Sequence, residues 1–188
     1  MKLIFLRKFR SKDYIWLVLA AAALLFCGCQ AKPAPLSSAA ATFKHEIKTC
    51  LTNLSTALLE PVAKKDVPAI NAALERVESP AVKLCRLCPF QVGVLNQSGE
   101  ALAIYPPKGG NNAKNYSNYG LMTKVIKSKK ILQQQFYLQD GSALYLMCAP
   151  LVHEGKLIGL VVIAVNSEDA TKRWGLTEKE FLALDFNK

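Results

Sequence analysis

The sequence predicts an α+β fold in which five antiparallel strands form one sheet and a long N-terminal helix packs along it. Three observations carry that expectation. Apolar residues recur every three or four positions through 41–59, the period of an amphipathic helix. From residue 90 the period shortens to two, in runs separated by turn residues. The last run, 157–165, is apolar throughout, which places its strand inside the sheet with both faces covered.

Each element follows from local chemistry. Phe43, Ile47, Cys50, Leu51, Leu54 and Leu58 form one stripe, while Lys44, Glu46 and Lys48 lie off it. Pro61 is expected to end or restart this helix, because proline has no N–H to donate and its ring crowds the preceding turn. A second amphipathic segment carries Val67, Ile70, Leu74 and Val77 and stops at Ser79-Pro80. Strands at 90–95 and 101–105 flank the turn sequence Asn96-Gln97-Ser98-Gly99, which makes a hairpin. A polar, Gly- and Asn-rich loop over 106–118 leads to a short helix at 120–129, with Leu121, Met122 and Val125 inward. Strands at 131–138 and 142–149 are joined by Asp140-Gly141, and 157–165 follows a turn at His153-Glu154-Gly155. The tail is helical from Glu168, and Thr177 with Glu180 has the spacing of a capping box before Phe181 and Leu182. One layer of helix on one sheet can bury a single core.

The N-terminus carries an address. Lys2, Arg7, Lys8, Arg10 and Lys12 precede an uncharged run of thirteen residues, 14–26. That run has the length of a signal-peptide core and falls short of the roughly 20 residues that span a bilayer. Gly28 then sets a small residue before Cys29, whereas Cys27 follows bulky Phe26. The segment resembles the lipobox of bacterial lipoproteins. The resemblance implies cleavage before Cys29, lipidation of its thiol and an extracytoplasmic domain held at a membrane in the cell envelope. The alternative is an uncleaved signal anchor. The organisation expected is a leader over 1–28, a lipidated Cys29 with a Pro-containing tether over 29–40, and one domain over 41–188.

Charge narrows the partners. Five positive charges and one negative fall within the leader, so the formal +10 of the whole chain drops to +6 for the remainder. The densest basic run, Lys124, Lys127, Lys129 and Lys130, reads as a solvated helix face leaning toward anionic lipid. No nucleic-acid recognition motif accompanies it. His45 lies off the apolar stripe and His153 in a turn, and both are expected at the surface. No Ser-His-Asp set, carboxylate pair or phosphate-binding glycine loop is present, and Gly109-Gly110 is not followed by the Lys-Ser/Thr of a phosphate loop. The chain is read as a non-enzyme without cofactor or metal.

Several segments in sequence resemble a Cache domain, the PAS-like extracytoplasmic sensor fold of bacterial receptors. They are Asn96-Gln97-Ser98-Gly99-Glu100, Lys114-Asn115-Tyr116-Ser117, Asp140-Gly141 with Tyr145 and Ala149-Pro150, and Glu154-Gly155-Lys156-Leu157-Ile158-Gly159. The likeness spans about 41–165. It implies a small-molecule ligand, such as an amino acid or carboxylate, held between the sheet and the 106–118 loop, with the loop ordered by binding. Candidate ligand residues are Tyr105, Lys114, Asn115, Tyr116, Asn118, Tyr137 and Tyr145, with Tyr119 nearby. Tyrosines offer an apolar wall with a polar tip, Asn both donors and acceptors, and Lys114 a charge for a carboxylate. The resemblance departs from ordinary receptors, since neither a second span nor an output module follows the domain. Signalling is therefore expected through a partner receptor or signalling protein.

The thiols form a second candidate site. With Cys27 removed and Cys29 lipidated, Cys50, Cys85, Cys88 and Cys148 remain, and three pairings are open. Cys85-Arg86-Leu87-Cys88 has the C-x-x-C spacing of redox and metal centres. Pro89 and a strand follow it, so no helix dipole acts on either thiol. A structural disulfide or buried thiol is the preferred reading, and a redox or metal-binding envelope lipoprotein using Cys85 and Cys88 is the alternative function. A third is an envelope protein that binds only other proteins.

Overall fold

The computed structural model describes residues 35–76, 91–106 and 115–188. Helix α1, Ser38–Ala63, opens where the Ser37 hydroxyl accepts a hydrogen bond from the Ala40 amide at 3.1 Å. Its buried face is Ala40, Phe43, Ile47, Cys50, Leu51, Leu54, Leu58 and Val62, the stripe expected with one more turn at each end. Pro61 does not end the helix. Its missing donor falls so near the C-terminus that few hydrogen bonds remain to be lost, and buried Val62 holds the final turn down. The Lys64 and Asp66 amides then donate to the Glu60 and Pro61 carbonyls and close that end. Helix α2, Val67–Glu75, starts on the Asp66 carboxylate, which accepts from the Ala69 amide at 3.0 Å. Val77, Ser79-Pro80 and the start of the first expected strand, at residue 90, lie outside the described residues.

Five strands follow: β1 (Gln91–Asn96), β2 (Ala101–Tyr105), β3 (Leu132–Tyr137), β4 (Ala143–His153) and β5 (Lys156–Asn166). They form one antiparallel sheet in the order β2-β1-β5-β4-β3, so the wholly apolar run does occupy the centre. β4 and β5 are longer than expected because they continue to a two-residue turn. His153 pairs with Lys156, and Glu154 and Gly155 both take positive φ (49° and 76°), which matches the sheet's twist. Helix α3, Gly120–Ser128, joins β2 to β3 through the intervening loop. The chain ends in α4 (Ser167–Trp174) and α5 (Glu178–Leu182), the second opened by the Thr177–Glu180 capping box.

Alternation along the strands divides the protein into two cores. Val92, Val94, Tyr145, Met147, Ala149, Val161, Ile163 and Val165 face α1, α2 and the C-terminal helices. On that side Phe181 stacks on Tyr145 with ring centroids 4.0 Å apart, and Trp174 meets Phe43 edge-on at 5.1 Å. The indole N–H of Trp174 also donates to Glu46 of α1 at 3.2 Å. Leu95, Cys148, Leu160 and Val162 face the other way, onto Leu121, Met122 and Val125 of α3. The C-terminal segment covers the start of edge strand β3. Ile131 exchanges two hydrogen bonds with the Asn187 side chain, and Gln133 donates to the Leu184 carbonyl. That cover blunts an edge otherwise open to pairing with another chain.

Candidate ligand-binding site

The α3 side of the sheet is incompletely filled, and sequence explains why. Gly93 on β1 has no side chain, and Ala164 on β5 has a single methyl. These two small residues leave the floor of the second core low at the end away from Leu121 and Val125. A cavity of about 190 Å³ results, lined on the sheet by Gln91, Gly93, Leu95, Ile104, Leu144, Leu146, Val162 and Ala164. Its remaining wall is Tyr116, Tyr119 and Met122. A methyl placed on Gly93 would find its nearest neighbour, Val162 Cβ, at 3.9 Å, so the space above it is real.

The tyrosine wall is positioned by the first hairpin's turn. Asn96 Oδ1 accepts from the Ser98 amide, the Ser98 hydroxyl and the Glu100 amide, each within about 3.0 Å. That arrangement fixes Gly99 at φ +80°, with its carbonyl accepting from the Tyr116 amide at 2.7 Å. Glu100 forms a single bridge with Asn115. The Asn115 carboxamide accepts from the Ser117 amide at 2.8 Å, and the Thr123 hydroxyl donates to the Ser117 carbonyl at 3.0 Å. The segment is thus tied to the hairpin at one end and to α3 at the other. Tyr116 and Tyr119 pack ring against ring at 5.5 Å, and Tyr119 reaches Phe136 of β3 at 5.9 Å. Burial, then the neighbouring Tyr119, raises the Tyr116 phenol, which stays protonated and able to donate at neutral pH.

The structure brings some of the expected residues to this cavity and not others. Tyr116 lines it, and Asn115 shapes its wall through its carboxamide's hold on the Ser117 amide without lining it. Asn118 is exposed in the adjoining turn. Tyr105, Tyr137 and Tyr145 lie on the opposite face. Tyr105 pairs with Val92 and packs on the α1 core, and Tyr145 is stacked under Phe181. Tyr137 is 68% exposed, and its hydroxyl donates to Glu178 at 2.8 Å. Lys114, Cys29, Cys85 and Cys88 lie outside the described residues. Residues not singled out from sequence, above all Gly93, Leu146 and Ala164, make the floor. Their signal was available in the strand alternation, one position out of step with the α1-facing set.

Among the described residues no charged side chain lines the cavity, and none is buried anywhere. An ion moved into such a place without a partner costs several kcal/mol. Elsewhere, Cys148 is a free, buried thiol on this face, pushed up to about 12 by desolvation. His45 and His153 are at the surface. Among the described residues no cluster of His, Cys, Asp and Glu could hold a metal.

No family model matches the sequence, and no curated protein matches it significantly. Solved structures do. The ligand-binding domain of the Pseudomonas aeruginosa amino-acid chemoreceptor PctC, in complex with GABA, aligns with a TM-score of 0.53 at 16% identity. That alignment covers 72% of this chain and 62% of the receptor domain. The ligand-binding domain of the Pseudomonas fluorescens chemoreceptor CtaA, bound to L-isoleucine, gives 0.54 at 11% identity over 88% of this chain and 63% of its own. A Campylobacter jejuni chemoreceptor domain, bound to 4-methylisoleucine, gives 0.55 at 12% identity, covering 72% and 56%. The fold is Cache-like. This chain spans about three fifths of those solved domains, and at such identities the likeness is one of fold. In the Cache-like frame, the 190 Å³ cavity lies between the sheet and the segment that follows β2.

Proposed function

We propose that this protein is an extracytoplasmic sensor domain that binds a small molecule between its sheet and the Tyr116–Tyr119 wall. It is held at a membrane by lipid on Cys29 and acts through a partner protein. The cavity over Gly93 and Ala164 carries the binding reading, because it is an apolar space enclosed between the sheet and an aromatic wall that carries neutral hydrogen-bonding groups. The Cache-like fold supports it, since similar solved domains were crystallised with amino acids bound. The basic leader ending in Gly28-Cys29 supports the anchor. Metabolic labelling with a palmitate analogue tests the anchor. Label should enter the wild-type chain and be lost in Cys29→Ala but kept in Cys27→Ala. Thermal-shift screening of the full chain tests binding. A saturable rise in melting temperature supports it, and no response to any compound counts against it.

For the cysteines we propose a structural disulfide between Cys50 and either Cys85 or Cys88. Cys148, a free thiol buried on the far face, takes no part. A bonded sulfur at Cys50, on the buried face of α1, supports the pairing. Thiol titration of the unfolded, unreduced protein checks the pairing. Loss of one thiol pair relative to the reduced protein supports it, and a full complement of thiols contradicts it.

A further inference from the structure

We infer that the ligand of this cavity is a small, uncharged and mostly apolar molecule, with a ring or short branched chain and at most one or two hydrogen-bonding groups. The inference rests on the binding reading above and narrows it to a chemical class. It departs from the amino acid or carboxylate that the resemblance implies.

Three observations lead there. The sheet side of the cavity is made by Gly93, Leu146, Val162 and Ala164 and their apolar neighbours, which offer van der Waals contact and nothing to pair with a charge. An α-amino acid brings both a carboxylate and an ammonium, and each must find a partner when it leaves water. Among the described residues the lining supplies no charged partner for either. Size points the same way. An engineered apolar cavity of about 150 Å³ holds benzene, so about 190 Å³ suits a molecule of one or two small rings. Finally, the polar groups present are of the neutral kind. The Tyr116 and Tyr119 phenols and the Gln91 carboxamide can each satisfy one neutral donor or acceptor, while the aromatic rings take the face of a flat ligand.

The test uses the full-length chain in detergent, by equilibrium dialysis against indole and p-cresol, and against L-isoleucine and GABA. Gly93→Leu and Ala164→Leu fill the cavity from two strands, and melting curves confirm that the variants used are folded. Detergent takes up indole equally in every sample, so the difference between wild type and variants reads the cavity alone. The expected result is saturable binding of indole or p-cresol to wild type, weakened tenfold or more by either filling substitution. The amino acids should bind at least a hundredfold more weakly. Preferential binding of isoleucine or GABA, lost in the same variants, overturns the uncharged class and leaves the binding reading standing. Indole binding unchanged by both variants overturns the cavity as its site. No saturable binding of any of the four overturns both readings.

Discussion

The Tyr116 amide donates to the Gly99 carbonyl at 2.7 Å, so the turn of the first hairpin sets the position of the cavity's aromatic wall. Gly99 is constrained twice over. Its φ of +80° disfavours any other residue, and a Cβ there would stand 2.8 Å from the Ser117 amide nitrogen. Gly99→Ala should therefore cost about 1–3 kcal/mol, read as a lower urea midpoint. It should also weaken ligand binding, because the clash falls on the segment that carries Tyr116. A variant as stable as wild type with unchanged binding would show that the turn does not position the wall.

Two other glycines give opposite expectations on neighbouring strands. A Cβ on Gly159 would lie 2.5 Å from the Leu95 carbonyl oxygen and 3.1 Å from Val62 Cγ1, where β5 meets β1 and the end of α1. Gly159→Ala should destabilise by about 2 kcal/mol or more, since backbone must move to admit the methyl. On Gly93 the nearest contact would be 3.9 Å away, and Gly93→Ala should stay within about 1 kcal/mol of wild type. Paired denaturant titrations measure both. Equal losses at the two sites would mean that the space over Gly93 is not there.

Much of this architecture is legible in the chain because it is locally encoded. The Thr177–Glu180 box and the Glu154-Gly155 turn form as their spacing predicts, since each depends on a few adjacent residues. The central place of β5 is legible because a strand covered on both faces has no polar side to show. Pro61 was not, because its fate is decided by the packing of Val62, a long-range contact. The tyrosines teach a similar point. Tyr105, Tyr137 and Tyr145 share a face with Val92 and Met147, and that grouping needs the register of four strand pairs. The cavity itself is made by what Gly93 and Ala164 lack, and missing volume leaves no motif.

Acid stability should depend on Glu180. A hydrogen bond with the Ser37 hydroxyl, then bonds from the Thr177 amide and hydroxyl, hold its carboxyl down to about 2 from an ordinary 4.5. A carboxylate with a depressed folded-state pKa contributes stability that is fully present above its unfolded value and is lost as pH falls through the folded one. Thermal melts should thus fall between about pH 5 and pH 2, and Glu180→Gln should flatten that fall. Identical pH profiles for the two proteins would contradict the coupling of α5 to the start of α1.

Cys148 should be chemically silent in the native protein. Its thiol is buried and pushed up to about 12, so almost no thiolate exists near pH 8. Iodoacetamide, followed by mass spectrometry of the peptide around Cys148, should label it after unfolding and leave it untouched before. Rapid native labelling would mean that the sheet opens on the α3 side.

Hydrogen–deuterium exchange of the full-length chain with and without a bound small molecule tests the central claim most directly. The account predicts added protection in β1 and in 115–125, the wall and floor of the cavity, with α1 and the Tyr145–Phe181 stack unchanged. Protection confined to the α1 face, or to no part of the β1–α3 side, would contradict it.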